Sequence, residues 1–159
     1  MAQPESRARA CANRRRAVAP TRARRWWHAT ISLAEGIAVS GQFVRKTNAL
    51  LGEATQLAKK KLYDRAAALY VRVLAHEDEV EPEVAAAVSL NLAIMRLHAG
   101  KLQDARDAAT GTVNRFRAIL KSPDDGGGKA AAAVKGMQGQ LHEVTNQISA
   151  RLAAARPAS

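Results

Sequence analysis

The sequence predicts an all-α protein built from antiparallel helical hairpins and closed by a long C-terminal helix. Three observations carry this. Apolar residues make up 47% of the chain but aromatics only 4%, so alanine and leucine supply most of the apolar side chains. Both favour helix, and alanine lets helices approach closely. No run of alternating Val, Ile, Thr or aromatic residues reads as a strand. Two central stretches, each reading as helix, tight turn, helix, repeat one another at a fixed offset. The 159 residues are enough for one domain with a modest core plus tails.

Residues 1–28 form a basic arm. They hold Arg7, Arg9, Arg14, Arg15, Arg16, Arg22, Arg24 and Arg25 against one acid, Glu5, and so carry most of the net charge of +11. The rest of the chain is nearly balanced, so the arm and the body pose separate questions. An Arg-rich, acid-poor leader without lysine resembles a mitochondrial presequence, with Trp26, Trp27, Ile31 and Leu33 as its apolar side. Pro4 and Pro20 interrupt any long helix in the arm. The expectation is a disordered or targeting arm and a mitochondrial location. The alternative is a cytoplasmic chain whose arm touches RNA or acidic partners through charge. Residues 29–46 are expected to form an N-terminal helix. The apolar stretch 31–44 falls short of the roughly 20 residues that span a bilayer, and it holds Glu35 and Ser40, so no transmembrane segment is predicted.

Residues 47–121 read as two helical hairpins. An offset of 39 residues aligns Leu51 with Leu90, Ala54 with Ala93, Lys61 with Gly100, Tyr63 with Leu102 and Ala66 with Ala105. Gly100 stands where the first helix of the second copy must end, because glycine takes the left-handed C-cap conformation without steric cost. Lys61 takes that place in the first copy. A large apolar residue follows each turn, then an alanine that lets the second helix pack closely on the first. Tyr70 and Leu74 continue the stripe at i+4 spacing.

At these positions the chain resembles the tetratricopeptide repeat family. Ala54, Tyr63, Ala66 and Tyr70 match its pattern in the first copy. Ala93, Gly100, Leu102 and Ala105 match it in the second. The resemblance covers a little under half the chain, and it implies a short α-solenoid of two degenerate repeats. It also implies a concave face, lined by the first helix of each repeat, that takes a partner helix or an extended peptide. Register carries that groove onto Asn48, Leu51, Thr55 and Lys59, then Asn91, Ile94 and His98. Two departures stand out. The family period is about 34 residues, so the longer spacing here places extra residues in 75–83, around Pro82. Ala109 occupies a position that is normally a large aromatic. The carboxylate clamp of some members is also missing. Asn91 matches it, but Leu51 and Thr55 replace its first Lys and Asn, and Ala133 stands at its Arg position after Lys129.

Residues 122–128, with Pro123 and three glycines, read as a linker. Residues 129–156 then read as one amphipathic helix, with Val134, Met137, Leu141, Val144, Ile148 and Leu152 as a continuous stripe. It is expected to cap the open end of the solenoid. Its heptad spacing offers a partner-facing role as the alternative.

The residues offer no chemistry to set against this. Cys11 is the single cysteine, which excludes an internal disulfide and a cysteine-based zinc site. His28, His76, His98 and His142 show no ligand pairing. Neither a GxSxG motif nor a phosphate-binding loop is present. The acids between residues 77 and 83 lack the spacing of a calcium loop. The chain is therefore expected not to be an enzyme and to need no cofactor, metal or small-molecule substrate. The expected function is a protein–protein adaptor or a small scaffold subunit of a larger assembly. The alternative is a ribonucleoprotein accessory factor in which the basic arm and Lys59, Lys60 and Lys61 contact RNA phosphates.

Overall fold

A computed structural model describes residues 42–122 and 128–155. The described chain is all helical, with no strand. Five α-helices follow in order: α1 (Gln42–Lys59), α2 (Tyr63–Leu74), α3 (Pro82–His98), α4 (Leu102–Lys121) and α5 (Gly128–Ala154). The basic arm, residues 29–41 of the expected N-terminal helix, and residues 123–127 of the linker lie outside the described residues. Within them, α1 starts ahead of the expected hairpin boundary at residue 47, and residues 42–46 belong to the same helix as Leu51 and Ala54.

The two hairpins share a turn. Lys61 N–H donates to Ala58 O and Leu62 N–H to Leu57 O, both at 2.9 Å. At the same offset, Gly100 N–H donates to Leu97 O at 3.2 Å and Lys101 N–H to Arg96 O at 2.9 Å. This pair of bonds is the Schellman closure, which satisfies carbonyls that the helix end leaves open. It demands a left-handed residue in its middle, and Lys61 (φ 61°) and Gly100 (φ 77°) supply it. The next helix then opens identically: Ala66 N–H donates to Leu62 O at 3.0 Å, and Ala105 N–H to Lys101 O at 2.9 Å. Ala54, Ala66, Ala93 and Ala105 have no exposed surface. Small side chains at these points set the close approach of the paired helices.

Between the hairpins a single 3-10 turn, Glu77–Glu79, leads to α3. Pro82 opens α3 in its first turn, where a missing N–H leaves nothing unsatisfied, and Glu83 complements the positive end of the helix dipole. Arg115 of α4 ties the turn down through Glu77, with Nε donating to Oε2 at 3.1 Å and Nη2 reaching the same oxygen.

α3 is the axis of the molecule. It packs against α2, α4 and α5, and its residues from Glu83 through Met95 are buried without interruption. A helix buried on every side must be apolar on every side, and V-A-A-A-V-S-L-N-L-A-I-M meets that demand. Its polar exceptions are paired where they matter. Thr112 Oγ1 lies 3.0 Å from Ser89 Oγ and 3.0 Å from Ala108 O, a hydroxyl contact at the α3–α4 crossing. Among the described residues no fully buried side-chain nitrogen or oxygen lacks a hydrogen-bond partner.

α5 lies across α3 and α4. Val134, Met137, Leu141, Val144 and Ile148 are buried and Leu152 is half-buried, so the stripe read from the sequence faces the core. The far end of the helix is fastened by Arg151, whose Nη1 donates to Leu97 O at 3.2 Å.

Candidate functional site

The seven residues expected to line a concave groove differ in exposure. Leu51, Asn91 and Ile94 are buried. Thr55 is half-buried and shares a hydrogen bond with Tyr70, so it serves the first hairpin's own packing. Burial raises the Tyr70 pKa, and the Thr55 bond opposes that rise. Asn48, Lys59 and His98 are exposed. Asn91 and Ile94 lie on α3, which packs against α2, α4 and α5, and Leu51 lies on α1, which packs against α2.

A recess among the described residues lies between the C-terminal half of α4 and α5. It is an open cleft of about 350 Å³ lined by Val113, Phe116, Arg117, Leu120, Lys121, Gln138 and Leu141. Its origin is local. Ala105, Ala109, Thr112 and Phe116 form the buried stripe of α4, at three- and four-residue steps. Val113 and Leu120 lie beside that stripe, two turns apart, and remain exposed at 38% and 46%. The apolar band of α4 is therefore wider than α3 and α5 together cover. Phe116 and Leu141 make an apolar floor, while Arg117 and Lys121 place two cations on the α4 side. No acid lines the cleft. Such a recess accepts an apolar side chain whose flanks are polar or acidic, and it offers no nucleophile or acid–base pair for chemistry.

The ends of the molecule differ in charge. The 3-10 turn and the start of α3 gather Glu77, Asp78, Glu79, Glu81 and Glu83. The opposite end holds the two Schellman turns and the last turns of α5. There the Tyr63 ring stacks on His98 with centroids 5.1 Å apart and an interplanar angle of 24°. Crowding by protein atoms lowers the His98 pKa, and the Arg151 charge lowers it further. Among the described residues no group of three or more His, Cys, Asp or Glu side chains is placed to hold a metal ion. No described helix is long and apolar enough to cross a membrane.

Two features escaped the sequence reading, and each has a signal in the chain. The burial of Asn91 and Ile94 follows from the apolar character of α3 all round, which a one-sided groove helix would lack. The cleft follows from Val113 and Leu120 standing off the main stripe of α4, but their exposure depends on where α5 comes to rest. No protein-family model, no curated protein and no solved structure matches this chain.

Proposed function

We propose that this chain is a non-enzymatic helical scaffold of the tetratricopeptide type that holds a segment of a protein partner in the cleft between α4 and α5. The observation that carries the reading is the pair Val113 and Leu120, left exposed beside Phe116 and Leu141 and sharing one recess with them, which the exposed Leu62 and Val71 do not. Exposed apolar side chains that share one recess mark interaction surfaces more often than scattered ones do. An amphipathic helix fits best. Its apolar face would lie on Val113, Phe116 and Leu120, and acids on its border would meet Arg117 and Lys121. The matched turns and alanines of the two hairpins support the tetratricopeptide likeness. The burial of Asn91 and Ile94 on α3 supports a binding face on the flank of the second hairpin.

The test is a pull-down with the full chain, wild type against a Val113→Asp, Leu120→Asp double variant. Both side chains are already exposed, so melting should change little. The partners recovered by the wild type should be lost by the variant, as read by mass spectrometry. Recovery of the same partners by both proteins ends this reading.

A further inference from the structure

Three segments distant in sequence meet at the end of the molecule opposite the acidic turn. Lys101 Nζ lies 2.9 Å from Asp64 Oδ1, joining the second hairpin's turn to the start of α2. Tyr63 stacks on His98, and Arg151 reaches Leu97 O. These contacts bring the segments that carry Lys59, Lys60, Lys61, Lys101 and Arg151, all exposed, to one end of the molecule. Lys101 and Arg151 are engaged with the fold. Among the described residues no ion pair with an acid holds Lys59, Lys60 or Lys61.

A cation in the last turn of a helix complements the helix dipole, which explains Lys59 and Arg151. Lys60 and Lys61 lie past the end of α1, where that argument stops. The backbone singles out Lys61. It is the one described non-glycine residue at positive φ, while its counterpart at the same offset is Gly100. The two turns make the same hydrogen bonds, so glycine would serve at both. A lysine there strains the backbone, and among the described residues no hydrogen bond or ion pair of its side chain returns that strain to the fold.

We infer that the turn Lys59–Lys61, flanked by Lys101 and Arg151, is a binding surface for the phosphate backbone of a nucleic acid. The cations stand on a projecting turn with Leu62 as their one strongly exposed large apolar neighbour. Docking on a bilayer would draw on a larger buried apolar area. The recess that suits a protein segment lies elsewhere, between α4 and α5. A regular array of phosphates needs only charge, and the chain's net charge of +11 adds long-range attraction. This surface is separate from the α4–α5 cleft, and either reading can fail alone.

The test uses the full chain and a fluorescein-labelled single-stranded oligouridylate, titrated by anisotropy over a range of salt. The variants are Lys61→Gly, Lys60→Gln and the pair combined. The arginine arm is the same in all of them, so differences report this turn. Lys61→Gly is expected to melt at a higher temperature and yet bind more weakly. The slope of log affinity against log salt should fall by about 0.7 for each lysine removed. Lys60→Gln, which leaves the strained position alone, should reproduce the loss. Unchanged affinity and slope in all three variants overturn the inference. So does a loss seen only with phosphatidylserine vesicles or with polyglutamate in place of RNA.

Discussion

Ala66 and Ala105 have no exposed surface and stand at matching points of the two hairpins, where the second helix meets the first. Replacing Ala105 with Phe forces a ring into that contact and should destabilise the chain by about 1–3 kcal/mol or more. Thermal and urea melting would check this, and an unchanged midpoint would mean the helices do not nest there. Lys61→Gly works in the other direction. Removing the Cβ from a left-handed position should add about 1 kcal/mol of stability. His98 couples stability to pH. Its folded pKa lies below the unfolded value, so the unfolded chain takes up the proton first on acidification. The contribution is whole above the ordinary histidine range near 6.5 and is lost as pH falls through the folded value. Melting temperature should therefore drop between pH 7.5 and 5.5, and His98→Gln should flatten that part of the curve.

At the scale of elements, periodicity was a reliable guide to which side of a helix is apolar. The stripe of α5 and the stripe from Leu102 to Phe116 in α4 both lie where spacing puts them. Ile148 sits deep in the first of these, and Ile148→Ala should cost about 2–5 kcal/mol by leaving a cavity between α5 and its neighbours. Denaturant titration reads that loss directly. Periodicity was a poor guide for α3. Apolar on all sides, it gives no preferred face, and the tetratricopeptide register laid a groove across residues that end up in the core. The turn at Lys61 was also hard to read. Lysine carries no turn signal of its own, and only its alignment with Gly100 marks the place.

The whole molecule separates its charge as it separates its surfaces. The arginine-rich arm precedes a body with an acidic end, a basic end and an apolar cleft on its flank. If the arm is an import signal, residues 1–40 fused to a reporter should carry it to mitochondria. A diffuse cytosolic reporter would leave the arm as a second cationic contact. Salt separates the two surfaces: the nucleic-acid contact should weaken steeply as ionic strength rises, whereas the apolar floor of the cleft should hold its partner with little change.

The amino-acid sequence by itself determined the helical class, the two turns, the repeated alanines and the inward stripe of the C-terminal helix. Each of these depends on residue type at short range: backbone propensity, the conformational freedom of glycine, and apolar spacing along one helix. The tertiary structure alone decided which surfaces stay open. Spacing says that a side of a helix is apolar, but not which neighbour comes to cover it. α2, α4 and α5 together enclose α3, and Val113 and Leu120 stay exposed beside the cleft.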